Sequence, residues 1–167
     1  DNNIFHIDKI PEHIKLSDIQ QSQVDTYVLN KVFIDKEKIA EEFKTLSFPL
    51  YFLDYETFPS AIPRFDGFSS YHQIPFQYSV HILESADGEP KHYEFLHTTP
   101  DDPSKAFANS LQKHIGKTGS VIVWHKGFEC GRNDEIATRI PATKDFMDAL
   151  KTRIYDLEDI FRKQYHI

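Results

Sequence analysis

From Leu50 the chain reads Leu-Tyr-Phe-Leu-Asp-Tyr-Glu-Thr, an apolar run ending in two acids one residue apart. Such a run just after Pro49 predicts a strand in a sheet core. Phe76–Leu83 alternates, with Phe76, Tyr78, Val80 and Ile82 on one face, and predicts a second strand. Ala86-Asp87-Gly88-Glu89 is a hairpin turn leading to a third at about His92–Leu96. Ser120–Trp124 is continuously apolar, as in a central parallel strand, and Arg153–Leu157 is a short last strand or extended segment. Between them the pattern turns helical. Phe107, Leu111 and Ile115 form the buried side of a helix opened by Asp102-Pro103 and ended by Gly116 and Gly119. Further helices are expected over Phe128–Arg139, from Pro141 through Leu150, and over Glu158–Tyr165. This α/β order predicts a mixed five-stranded sheet flanked by helices, its first strand central beside the Val121 strand.

Ahead of the sheet, residues 1–46 read as a helical arm or linker. Ser17-Asp18-Ile19-Gln20 has the spacing of a capping box, opening a helix with Ile19, Val24, Tyr27 and Val28. Asp35 caps a second helix with an apolar stripe of Ile39, Phe43 and Leu46. Residues 47–167 form the domain proper. A long connection over residues 57–75 carries Phe58, Pro59, Pro63, Phe65, Phe68, Tyr71, His72 and Pro75. Connections of that length are uncommon and usually functional.

Composition narrows the classes. The 167 residues are 40% hydrophobic and 14% aromatic, enough for one well-filled core. One cysteine, Cys130, excludes an internal disulfide and fits a reducing, cytoplasmic setting. No membrane-length apolar run or signal peptide is visible. The first residue is Asp1, so the chain reads as a piece of a longer protein whose other domains are expected partners. A net charge of −7 argues against broad electrostatic binding of nucleic acid. It leaves room for an acidic site that meets phosphate through metal ions.

The acids point to such a site. Asp54 and Glu56 project to one face of their strand, ~5 Å apart. Like charges at that spacing call for a raised pKa, a basic partner or a divalent metal. With the first and fourth strands parallel, their C-terminal ends share an edge, where open α/β sheets bind ligands. His125 and Glu129 follow the fourth strand, and Asp156 closes the fifth at the same edge. Hard oxygen ligands from several rigid elements are what a two-metal site needs. Taken singly, each residue has a plainer reading. The Asp54/Glu56 pair fits a turn or a pair with Arg64, Glu129 a helix-dipole acid, Asp156 a cap on the last helix and His125 a loop residue. The joint pattern favours the site.

Phe52-Leu53-Asp54-Tyr55-Glu56-Thr57 resembles the first motif, D-x-E-T, of the DEDD or DnaQ-like 3′→5′ exonucleases, which have a ribonuclease H-like fold. Val121–Glu129 resembles their second motif, N-x-x-F-D after a strand, with His125 in place of Asn and Glu129 in place of Asp. Ile154-Tyr155-Asp156-Leu157 resembles the segment that follows. Tyr51–Phe58 with Ile74–Ser79 closely resembles a bacterial domain-of-unknown-function family placed in that superfamily. The resemblance covers roughly Leu50–Phe161.

The resemblance implies a two-metal phosphodiesterase using Mg²⁺ or Mn²⁺, acting on single-stranded DNA or RNA. Asp54, Glu56 and Glu129 are its implied metal ligands, and Asp156 joins them as a catalytic acid. Thr57, Phe58, Arg64, His125, Lys126 and Phe128 are the implied substrate contacts, with Arg132 a further candidate for phosphate. Loop aromatics could stack on terminal bases, or else pack over the sheet. The third motif, H/Y-x-x-x-D, would lie tens of residues past Asp156; Tyr165 and His166 have no Asp after them. The expectation is a fold truncated at its C-terminus, inactive alone and active in its parent. The competing class is a catalytically incomplete nucleic-acid-binding or scaffold module of a larger bacterial protein. A histidine metallohydrolase has little support, because His81, His92 and His97 lack ligand-like spacing.

Overall fold

The computed structural model describes residues 4–163. Five strands form one mixed sheet: β1 Leu50–Phe58, β2 Ile74–Leu83, β3 Lys91–Leu96, β4 Ser120–Val123 and β5 Ile154–Asp156. Six α-helices accompany it: α1 Asp18–Leu29, α2 Lys36–Phe43, α3 Ser104–His114, α4 Lys126–Arg139, α5 Lys144–Lys151 and α6 Asp159–Arg162. The sheet order is β3-β2-β1-β4-β5. β1–β2 and β2–β3 are antiparallel, whereas β1–β4 and β4–β5 are parallel. The expected central position of β1 beside the Val121 strand is therefore observed.

The chain divides into two compact units. Leu46–Leu157 holds the sheet with α3, α4 and α5; residues up to Thr45 and those from Glu158 onward form the other. In the latter unit, Ser17 and Gln20 make both hydrogen bonds of the capping box at the start of α1. The Asp35 carboxylate accepts from the Lys38 N–H at the start of α2. That helix ends at Phe43, where the Thr45 hydroxyl donates to the Glu42 carbonyl. Leu46 is thus not on its stripe: the chain leaves the helix before the third apolar position is reached. None of the residues of α1 or α2 is buried, so their apolar side chains are not a core stripe. The helix expected over Glu158–Tyr165 is seen as α6; Tyr165 and His166 lie outside the described residues.

In the sheet unit, period-two alternation decides which face of β1 is the core. Tyr51, Leu53 and Tyr55 are at most 4% exposed, while Phe52, Asp54 and Glu56 on the other face are exposed. The core face also takes Tyr78, Val80 and Ile82 of β2 and Val121 and Val123 of β4. Phe107 and Leu111 of α3, Ile136 of α4, and Met147 and Leu150 of α5 pack on it. Asp102, one residue ahead of the Pro103 N-cap, accepts from both the N–H and the hydroxyl of Ser104, the first residue of α3. α4 begins at Lys126, two residues earlier than its apolar pattern indicates, with His125 in the left-handed region at φ 70°.

The link from α3 to β4 is tightly constrained. The Arg153 guanidinium donates to the carbonyls of Gly116, Thr118 and Gly119. These backbone acceptors follow the end of α3, so a cation from the segment before β5 ties down that turn. Gly119 stands at φ +88°, with the Pro49 backbone against it.

Candidate functional site

β4 pairs with β1 only over Leu50–Phe52, so β1 runs on past the end of β4. This stretch carries Asp54 and Glu56, which lie inside a nine-residue strand rather than at its end. They stand opposite Ser79 and Gln77 of β2. The ladder then shifts register between Glu56 and Thr57, the kind of irregularity that re-aims side chains. The Thr57 hydroxyl donates to the Gln73 side-chain oxygen at 2.6 Å.

The first turn of α4 brings Glu129 to this region. Glu129 is 1% exposed, and its Oε2 has no hydrogen-bond partner. Burial pushes its carboxyl up from the ordinary 4.5 to about 7, and the charges of Asp54 and Asp156 push the same way. Its own backbone N–H and His125 act against them. One helical turn on, Asn133 is fully buried. Its Oδ1 accepts from the Tyr55 hydroxyl at 3.1 Å, while its Nδ2 is unpartnered. Burial and the Glu129 charge hold that phenol well above its usual value. A buried polar stripe of Glu129 and Asn133, met by Tyr55, therefore lies beneath the exposed acid face. Sequence reasoning missed Tyr55 and Asn133. The available signal was that Asn133 is four residues after Glu129, on the same helix face.

Asp156 has a structural task. Its two oxygens accept from the backbone N–H groups of His125 and Lys126, at 3.0 and 2.9 Å. It caps α4, not the helix that follows it, and compensates the left-handed turn at His125. Asp156→Ala is expected to cost about 1–2 kcal/mol of stability. Urea unfolding checks this, and an unchanged midpoint would remove the cap from the account.

The other anticipated contacts are distributed unevenly. The Lys126 ammonium donates to the Ile154 carbonyl at 2.9 Å. Arg132 makes a two-pronged pair with Glu135 and lies 5.3 Å over the Phe128 ring, which packs against the core. Lys126 and Arg132 are thus engaged internally. His125 is exposed. Arg64 is exposed and lies 5.3 Å over the Phe58 ring.

The long loop divides in two. Arg139 sits 3.5 Å over Phe68, donates to the Asp66 and Gly67 carbonyls, and bonds Asp102. Phe68 in turn meets His72 edge-on, and His72 pairs with Glu135. That half is fastened to α4. The other half, Phe58 with Phe65, extends to Phe76 of β2 and joins the first where Phe65 meets Phe68 edge-on at 6.0 Å.

Among the described residues, no group of three or more His, Cys, Asp or Glu side chains is placed to hold a metal ion. The donor chemistry at Glu129 nevertheless suits a hard cation. It is a buried carboxylate with one free oxygen, in the field of two more acids. Among the described residues, no helix is long and apolar enough to cross a membrane.

Residues 51–167 match the family described as Domain of unknown function (DUF2779), and the chain belongs to that family. No curated protein and no solved structure matches the chain.

Proposed function

We propose that this chain carries a metal-dependent 3′→5′ exonuclease-like domain of the DEDD type, built on a ribonuclease H-like sheet. Glu129 carries the reading: a carboxylate 1% exposed, with an unpartnered oxygen, beside Asp54 and Asp156. A lone buried acid is costly unless it is protonated or meets a cation. The sheet order and the alignment of Asp54 with Glu56 support the same assignment. The metal ligands in this reading are Asp54, Glu56 and Glu129, which would have to draw together to hold Mg²⁺ or Mn²⁺, and Asp156 would fix the turn that presents Glu129. When bound, such ions lower the pKa of the attacking water and stabilise the leaving oxygen. The exposed acid face leaves Asp54 and Glu56 open to a single strand of DNA or RNA.

One set of observations favours a second reading, a non-catalytic nucleic-acid-binding or scaffold module. Asp156, Lys126 and Arg132 are all committed to internal hydrogen bonds. Calorimetry with MnCl₂ separates the two. Binding is expected in the wild-type chain and absent from Asp54→Asn; unchanged binding in that variant would place the ion elsewhere. With Mn²⁺, the protein carrying this domain should shorten 5′-labelled single strands stepwise from the 3′ end. No digestion of DNA or RNA with either metal would leave the scaffold reading.

A further inference from the structure

β2 and β3 carry two histidines whose sequence spacing suggests no site, yet the sheet sets them side by side. His81 stands directly opposite His92 in the antiparallel register. The rings are stacked, with centroids 4.5 Å apart and planes 21° from parallel. The ladder itself brings them close. His97, one step beyond Leu96, donates its N–H to the Phe76 carbonyl, so Phe76 and His97 are a hydrogen-bonded pair. Alternation back along the strands makes His81 and His92 a non-hydrogen-bonded pair, the kind whose side chains approach most closely.

Both histidines are exposed, on the sheet face that also carries Asp54 and Glu56. Among the described residues, the His81 side chain makes no hydrogen bond or ion pair; its ring contact is His92. The His92 Nε2 lies 3.2 Å from the Ser79 hydroxyl. With Nε2–H donating to that oxygen, Nδ1 holds the lone pair. A partner on one ring nitrogen is what fixes the tautomer and orientation of a ligating histidine. Ser79 stands between Glu94 of β3 and Asp54 of β1 in the ladder, so acids occupy the next cross-strand row. Lys91, beside His92 in sequence, belongs to the opposite face.

An ion bonded to one nitrogen of each ring at about 2.1 Å holds the two centroids about 4.5–5 Å apart. The rings already stand at that separation. Imidazole nitrogen suits Zn²⁺, Cu²⁺ and Ni²⁺, whereas Mg²⁺ and Mn²⁺ favour carboxylate oxygen. We propose that His81 and His92 form a two-histidine site for a borderline divalent ion, Zn²⁺ or its like, with water completing the shell. The ion clamps β3, an edge strand of the sheet, to β2. Two protein ligands, where structural zinc centres have four, make it an exchangeable ion. The site is separate from the acids of β1 and does not rest on the exonuclease-like reading.

The probe is ZnCl₂, titrated calorimetrically into the chain with MgCl₂ in large excess, which occupies ligands that favour a hard cation. One Zn²⁺ per chain is expected. His81→Gln and His92→Gln should each weaken binding at least tenfold, and Asp54→Asn should leave it unchanged. Saturating Zn²⁺ should raise the melting temperature of the wild type and not that of His92→Gln, because the ion joins the two strands only in the folded chain. Both histidines are exposed, so glutamine is tolerated at either position, and circular dichroism without zinc confirms that the variants fold. No Zn²⁺ binding up to millimolar concentration would overturn the site. Unaltered affinity in both histidine variants would do the same, since the ion would then sit on other side chains. Loss of binding in Asp54→Asn with full binding in His81→Gln would assign the ion to the acids instead. Zn²⁺ binding by a chain that fails to bind Mn²⁺ would keep the histidine pair and count against only the exonuclease-like reading.

Discussion

Glu129→Gln is expected to make the protein more stable at pH 8, by about 2–3 kcal/mol, while changing little at pH 4. The side chain is 1% exposed and titrates near 7 in the folded chain, against 4.5 when solvated. Between those values the folded state holds a proton that the unfolded state has released. Stability of the wild type therefore falls as pH rises from about 4.5 to 7, and the deficit is complete above 7. Glutamine keeps the shape and never ionises, so its variant should lack this part of the pH slope. Chemical denaturation at a series of pH values measures it. A wild-type curve no steeper than that of the variant would show that the carboxyl is not buried as described. The same pair of proteins tests the cation. Mn²⁺ should stabilise the wild type at pH 8, where the carboxylate is charged, and stabilise the glutamine variant much less.

Gly119→Ala should be the most damaging small substitution in the sheet unit. A Cβ there would stand 2.1 Å from the Pro49 carbonyl oxygen and within 2.9 Å of the proline ring, at a φ of +88°. Left-handed backbone alone costs an alanine about 1–2 kcal/mol. The overlap cannot be relieved by a side-chain rotation, because the obstacle is backbone. Moving it would pull at the Ser120 N–H, which donates to the Ser47 and Pro49 carbonyls where β4 begins. A loss of about 4 kcal/mol or more is expected, read as insoluble expression or a collapsed melting temperature. A melting temperature within a few degrees of the wild type would mean that this close approach does not exist in solution.

Much of this architecture was legible in the sequence because its signals are local. The alternation in Phe76–Leu83, the apolar run through Val121 and the Asp87-Gly88 turn each specify their own element. The acids of β1 were visible because two carboxylates at i and i+2 interrupt an apolar pattern. The position of Asp156 against the amides of His125 and Lys126 was not legible, since it joins residues distant in sequence. The buried contact of Tyr55 with Asn133 escaped for the same reason. Both side chains read as ordinary members of their elements until the register brings them together. Lys126 looked available for phosphate, yet a lysine at a helix start can fold back onto a neighbouring strand carbonyl, as it does here. The start of α4 was misplaced because His125 enters it through a left-handed turn that a sequence does not mark for a non-glycine residue.

The pairing of β1 also dictates an order of assembly. On one side Leu50 meets Leu83 through a chain of adjacent hairpins; on the other it meets Ser120, across all of β2, β3 and α3. Loop-closure entropy delays the distant contact, so the β1-β2-β3 meander should form ahead of the parallel half. Asp54 and Glu56 would then be aligned on a sheet before α4 exists to deliver Glu129. The unfavourable step, burying the Glu129 carboxyl in the field of Asp54 and Asp156, falls at the end of folding, when the rest of the core can offset it. In hydrogen-exchange labelling during refolding, amides of β2 should become protected before those of β4, and Trp124, the chain's single tryptophan, should report the late phase.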